Sequence, residues 1–295
     1  MYKTFILNII ILSFILTFTV RAESVPSTNV TVKKEETLYF TPLPTSNPKL
    51  NLATIQPVAN YLSKILNRPV KVRMYQSYDE IIQAFLKGEI QFAEFGPLPY
   101  LKLQDLSMEH IPLVSINKQP NSSRYECVLA APIDGIQSLN ELNNLEKPKI
   151  ALTQPLSTCG WLVTNHLLKE QGFNLQTSDY QYLGSHHDVA LALIRKEYSV
   201  GGLARFIAER YQNLGLEILK ESTELPPFTL VIHSNILTKQ EVEKVSQALL
   251  DYNPKQHKDF NSKGFSPFNP DLFNQVIQLY PNRDVPLQNS QGVIK

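Results

Sequence analysis

The chain carries only two cysteines in 295 residues, too few to build a fold on disulfides. Net charge is nearly absent, since 28 Lys and Arg stand against 27 Asp and Glu. A nucleic-acid binder needs a clustered basic surface to displace counterions, so this balance argues against DNA or RNA as partners. Past the first segment, no stretch approaches the roughly 18 apolar residues of a membrane span. Gly-x-Gly-x-x-Gly and P-loop patterns are missing, which leaves nucleotide chemistry without support. The six histidines are scattered, with no His-Glu-x-x-His and no Cys-x-x-Cys, so no metal site is indicated. Ser157, His186 or His187, and Asp188 could be imagined as a triad, but there is no Gly-x-Ser-x-Gly elbow, and sequence neighbours such as His187 and Asp188 rarely meet triad geometry. Cys159 with a histidine is an equally weak thiol nucleophile. The reading is of a non-enzyme with no catalytic residue, metal or cofactor; a secreted hydrolase is the most distant alternative.

What is present begins with an apolar run, Phe5 to Val20, after Lys3. Val20-Arg21-Ala22 puts small residues at the −3 and −1 positions of a cut after Ala22. This is the pattern of a secretory signal peptide, with an uncleaved anchor as the alternative, and it directs the protein to the periplasm or outside the cell. Residues 23–36 are polar and read as a flexible leader. Asn29-Val30-Thr31 and Asn121-Ser122-Ser123 are glycosylation sequons that matter only in a glycosylating host. Apolar residues make up 43% of the chain, with 13 Tyr and 14 Phe, enough for a substantial core in two lobes or one large fold.

The remainder alternates between two periodicities. Leu38 to Thr41 reads as a strand, and Ile55, Val58, Leu62, Ile65 and Leu66 share one helical stripe. Val70 to Met74 is a strand, Ser77 with Glu80 is a capping box, Gly88 stops that helix, and Ile90 to Phe95 is the next strand. The same order continues with strand Cys127 to Ala131, capping box Ser138 with Glu141, strand Lys149 to Thr153, and a helix from about Thr158 to Gly172. Strand Tyr180 to Leu183, a helix from His186 to Lys196, strand Phe228 to His233, a helix capped by Thr238 and Glu241, and a helix after Pro270 follow. Such alternation predicts an α/β fold with mainly parallel sheets. Polar breaks at residues 118–124 and 221–227 suggest two crossings between lobes. The expected division is a signal peptide at 1–22, a leader at 23–36, a first lobe of 37–120 and 235–295, and a second lobe of 121–234.

In open α/β sheets, ligands bind beyond the carboxyl ends of strands, against helix N-termini. Three strand-to-helix loops have suitable composition. Gln154 to Trp161 offers Ser157, Thr158 and Cys159; the alternative is that Ser157 or Thr158 is only an N-cap. Leu183 to Asp188 offers an imidazole, with an ordinary capped helix start as its alternative. Phe95-Gly96-Pro97 with Tyr100 is the third, and Tyr78 starts a helix of the same lobe; a lone Tyr is more often packing than a ligand contact.

At these positions the sequence resembles the phosphate, phosphite and phosphonate solute-binding proteins of ABC importers. The resemblance runs from Leu38 to Tyr280. It rests on Tyr78-Asp79-Glu80-Ile81-Ile82, on Gly88 to Pro97 with Tyr100, on Ser157-Thr158-Cys159-Gly160, and on Gly184-Ser185-His186 with Ala190 to Leu193. It implies a two-lobed type II periplasmic-binding fold with a ligand cleft between the lobes. Ser157 and Thr158 would hold phosphoryl oxygens, His186 would donate from the facing helix, and Tyr78, Tyr100 and Phe95 would belong to the other wall. Cys159, where the family usually has a third Ser, would be a weaker donor. The implied partners are a small oxyanion and an inner-membrane permease, or a receptor or histidine kinase if the protein is a sensory module. A monomer is expected. Members that bind amino-bearing phosphonates carry acids where this chain has Leu203-Ala204-Arg205-Phe206 and Leu225-Pro226-Pro227-Phe228, so 2-aminoethylphosphonate is expected to be a poor ligand. Arg205 could add positive charge or face solvent. The layout also brings Cys127 and Cys159 near the cleft, where they are either joined or separate thiols.

Overall fold

The computed structural model describes residues 36–118, 123–253 and 263–281. The expected signal peptide, nearly all of the leader and both sequon asparagines lie outside the described residues. Among the described residues, no helix is long and apolar enough to cross a membrane.

The chain opens with β1 (Leu38–Thr41) and α1 (Pro48–Leu66). Asn47 caps α1 by accepting from the Leu50 amide, Pro48 supplies a preset first turn, and Asn67 ends the helix in the left-handed region at φ 51°. The stripe Ile55, Val58, Leu62 and Leu66 is buried, with Ile65 at its margin. After β2 (Val70–Val72), both halves of the Ser77 and Glu80 capping box are formed at the start of α2 (Tyr78–Leu86). Gly88 then turns the chain at φ 70°, a conformation that favours glycine. There follow β3 (Phe92–Phe95), α3 (Pro97–Leu106) and β4 (His110–Ile116).

The second half contains β5 (Cys127–Pro132), α4 (Leu139–Leu142), β6 (Lys149–Leu152), a π-helical turn (Thr158–Val163) and α5 (Thr164–Lys169). It continues with β7 (Asp179–Tyr182), α6 (His186–Ile194), β8 (Val200–Ala204), α7 (Arg205–Ala208) and β9 (Leu216–Glu221). The chain then returns through β10 (Phe228–His233), α8 (Lys239–Leu250), β11 (Phe265–Ser266) and α9 (Pro270–Leu279). Ser138 does not cap α4 in the expected way: its hydroxyl donates to the Glu141 carboxylate while the Gln137 amide takes the other carboxylate oxygen.

Two sheets form, ordered β11-β4-β10-β3-β1-β2 and β7-β6-β8-β5-β9. The expectation of mainly parallel sheets needs correcting. Pairs β1/β2, β1/β3, β6/β7 and β6/β8 are parallel, whereas β10 runs antiparallel between β3 and β4, and β5 runs antiparallel between β8 and β9. Two of the antiparallel strands are entered directly after a crossing: the chain leaves the first sheet at Ile116 for β5 and leaves the second at Glu221 for β10. The short edge strand β11, which pairs antiparallel with β4, follows α8 within the first lobe. A strand that arrives from another lobe needs no helical crossover, so nothing forces it to be parallel. Phe228–His233 consequently belongs to the first sheet, and the first lobe resumes before residue 234. Each sheet with its packed helices is called a lobe below.

Candidate functional site

The loop after β6 is shaped by close packing. Ser157 Oγ accepts from the Gly160 amide at 2.9 Å. The Trp161 and Leu162 amides both reach the Ser157 carbonyl, at 3.2 and 3.1 Å, which widens the first turn into a π-helix, a form that recurs at functional sites. Gly160 permits this seating, because a Cβ there would stand 1.9 Å from Thr153 Oγ1 and 2.6 Å from its Cβ. A disulfide joins Cys159 in this turn to Cys127 at the start of β5, with their Cα atoms 5.0 Å apart. The loop is thereby fixed to the second sheet on two sides.

Around it lies a small pocket lined by Tyr78, Tyr125, Ser157, Thr158, Cys159 and His186, together with Leu43, Gly96 and Phe228. Tyr78 comes from the start of α2, His186 from the start of α6, and Tyr125 from the crossing, where it bridges to Leu225. Tyr78 shares a hydrogen bond with Ser157, and Tyr125 with Thr158. Burial drives both phenols well above their ordinary pKa and outweighs those bonds, so both remain protonated donors in neutral solution. The His186 ring is 3% exposed, and burial pushes its pKa down to about 4. Its Nδ1 accepts from the Ala204 amide at 3.3 Å, which puts the proton of the neutral ring on Nε2. His187, next in sequence, turns away and meets the Tyr211 hydroxyl. The pocket therefore combines neutral hydroxyl and imidazole donors with no full cation, an environment for an anion's oxygens.

The lobes meet across this pocket. The Leu98 amide of α3 donates to Thr158 Oγ1 at 2.9 Å. Gln154, at the end of β6 and only 4% exposed, spans the gap with its whole amide. Its Oε1 accepts from the Tyr78 amide at 3.0 Å, while its Nε2 donates to the Gln76 carbonyl at 3.1 Å and to the Gly184 carbonyl at 2.6 Å. So closed, the pocket keeps about 10 Å3 free, on the order of what one water needs.

Five of the seven residues expected at the site, Tyr78, Ser157, Thr158, Cys159 and His186, line this pocket. Tyr100 and Phe95 do not. Tyr100 is buried on the far side of α3 against Phe273, Phe268 and His110. Phe95 lies on the α2 side of β3, its ring 5.9 Å from Phe85, because alternate residues of a strand face opposite ways. The side chain of Cys159 is no S–H donor, since its sulfur is bonded to Cys127. Arg205 is engaged at the surface with Glu209 and Glu221. Sequence reasoning missed Tyr125, Gln154 and Glu94. Glu94 is a buried acid on β3 that pairs with Lys118, whose ammonium also stands 4.4 Å from the centre of the Phe228 ring.

Comparison with known proteins bears directly on this arrangement. The family described as the periplasmic substrate-binding protein of the phosphonate ABC transporter matches residues 40–273. The chain belongs to this family. Its members are binding components of importers, not enzymes. A curated relative, the phosphate-import protein PhnD of Mycolicibacterium smegmatis, is 23% identical over 175 residues, covering 56% of this chain and 54% of that protein. The chain thus spans about half the length of this relative in the match. Among solved structures, PhnD1 of Prochlorococcus marinus, in complex with methylphosphonate, superposes with a TM-score of 0.74 at 17% identity, over 83% of this chain and 97% of that one. A binding component of a phosphonate transporter from Pseudomonas aeruginosa gives 0.70 at 22% identity, over 84% and 86%. The fold is the two-lobed type II periplasmic-binding fold shared with these proteins.

Proposed function

We propose that the protein captures a small phosphorus oxyanion, whether phosphate, phosphite or an alkylphosphonate, between its lobes and presents it to the permease of an ABC importer. The observation that carries this reading is the convergence of Tyr78, Tyr125, Ser157, Thr158 and His186 on one small pocket in a member of a phosphonate-binding family. Two relatives point the same way, one named for phosphate import and one solved with methylphosphonate. Charge-assisted hydrogen bonds contribute about 1.5 to 3 kcal/mol each, so four or five reach the roughly 8 kcal/mol of a micromolar complex after closure costs. With so little space left in the closed pocket, the ligand enters an open form and the lobes shut on it. The chain acts as a monomer in the periplasm after cleavage behind Ala22. Calorimetry with phosphate, phosphite and methylphosphonate tests the reading: at least one should bind at micromolar or tighter, and Ser157→Ala and His186→Ala should each weaken it tenfold or more. Unchanged affinity in both variants would remove this pocket from consideration.

A further inference from the structure

Beside the oxyanion pocket, and sharing Leu43 with it, lies a larger cavity of about 210 Å3. Its floor is the first sheet and its roof the first half of α1, while Phe206, Ile207 and Arg210 of the second lobe close its far side. Two rings stand where the spaces adjoin: Phe228 lines the pocket, Phe206 lines the cavity, and their ring centres are 6.2 Å apart. The cavity is electrostatically uneven. Its one carboxylate, Glu94, is occupied by Lys118, whose ammonium lies over the Phe228 ring. Arg210 from the second lobe and Lys263 from the first also border it, and neither forms an ion pair among the described residues. The charge of Glu94 reaches Tyr78 strongly enough to help raise its phenol, so pocket and cavity are within Coulombic range of each other.

Among the described residues that line it, three cations against one carboxylate leave an excess of two positive charges around a space that neither a methyl group nor a bare phosphate would fill. We propose that this cavity is the subsite for the ligand's substituent and that it takes an anionic one, making the preferred ligand a phosphonate that bears a carboxylate one or two carbons from phosphorus. This rests on the oxyanion reading of the neighbouring pocket. An ammonium-bearing substituent would meet like charge, because Glu94, the only acid among the described lining residues, is already paired. A carboxylate would draw Arg210 and Lys263 together from opposite lobes and so favour closure.

Calorimetry on the full mature chain compares methylphosphonate, phosphonoacetate and 2-aminoethylphosphonate, using the parent and an Arg210→Ala/Lys263→Ala variant. Both residues are exposed, so the variant keeps its fold. Phosphonoacetate should bind at least tenfold more tightly than methylphosphonate, and 2-aminoethylphosphonate should bind most weakly. The double variant should bring phosphonoacetate down to within about threefold of methylphosphonate while leaving methylphosphonate itself unchanged. Equal affinities in the parent, or a preference that survives in the variant, would overturn the subsite while leaving the oxyanion pocket standing. Failure of methylphosphonate, phosphonoacetate and phosphate alike would overturn both.

Discussion

Replacing Gln154 by Ala tests the closure model at a residue that does not itself line the oxyanion pocket. Two of the three bonds made by this side chain, to the Tyr78 amide and the Gln76 carbonyl, span the lobes; the third, to the Gly184 carbonyl, stays within the second lobe. In an open form the same groups are hydrated, so each spanning bond counts only for its net worth, about 1 kcal/mol. Their loss, together with a buried Tyr78 amide left without its acceptor, shifts closure by about 2 kcal/mol, or roughly thirtyfold. When the ligand-free protein is mainly open, this shift appears in full as weaker binding. Gln154→Ala should therefore bind methylphosphonate ten- to thirtyfold more weakly in calorimetry, and small-angle scattering should show a larger radius of gyration at partial saturation. Gln154→Glu keeps an acceptor for Tyr78 but turns a buried carboxylate against the Gln76 and Gly184 carbonyls and toward the anion pocket, so it should bind at least as weakly as Gln154→Ala. Affinity within twofold of the parent in Gln154→Ala, with an unchanged scattering profile, would refute the clasp.

Three further outcomes follow from the site. His186 is neutral in the fold with a pKa near 4, against about 6.5 when unfolded, so between these values the unfolded chain binds more protons. The corresponding stability is complete above pH 6.5 and is lost as pH falls toward 4, by up to about 3 kcal/mol; urea unfolding at pH 7 and 4.5 should show it, and an identical pH slope in His186→Gln would contradict it. The Cys127 to Cys159 bridge closes a span of 32 residues, for which chain entropy gives about 3 to 4 kcal/mol. Cys127→Ala/Cys159→Ser should lose that much in denaturant unfolding, and a loss below about 1 kcal/mol would mean that the turn holds its shape unaided. Gly160→Ala should cost several kcal/mol in thermal unfolding and weaken oxyanion binding, since its Cβ would collide with the stiff Thr153 side chain; a parent-like melting temperature would show that the turn can shift.

Much of the fold was legible because local chemistry and tertiary structure agree there. The Ser77 and Glu80 box, the Thr238 and Glu241 box and the buried stripe of α1 all formed where periodicity and capping indicated. What escaped was long-range. Nothing local in Phe228–His233 reveals that this strand inserts antiparallel between β3 and β4. The same limit explains the site. Ser157, Thr158 and His186 sit at helix starts, where composition is informative, whereas the face that Phe95 presents is decided by its strand's register with a partner. Tyr125 and Gln154 acquire their meaning only from the opposite lobe: one reaches Thr158 from a crossing, and the other reaches Gln76 across a gap of 78 residues in sequence. No capping rule or spacing marks either.

The near-neutral composition takes on a definite meaning at the pocket. Tyr78 and Tyr125 are held protonated by burial, and His186 is held neutral by the same cause. An anion entering between them meets donors without meeting a permanent charge, so attraction depends on whether each oxygen finds its hydrogen bonds, and selection follows geometry more than valence. Among the described residues, cations border the neighbouring cavity and not the pocket; there Lys118 is already balanced by Glu94 and the excess comes from Arg210 and Lys263. On the proposed reading, recognition of the phosphorus group and of its substituent would be divided between two kinds of electrostatics. Raising ionic strength should accordingly weaken ligands with an anionic substituent, which lean on exposed cations at the cavity rim, while leaving methylphosphonate affinity nearly flat, because buried donors are little screened. Parallel salt dependence for the two ligands would contradict this division.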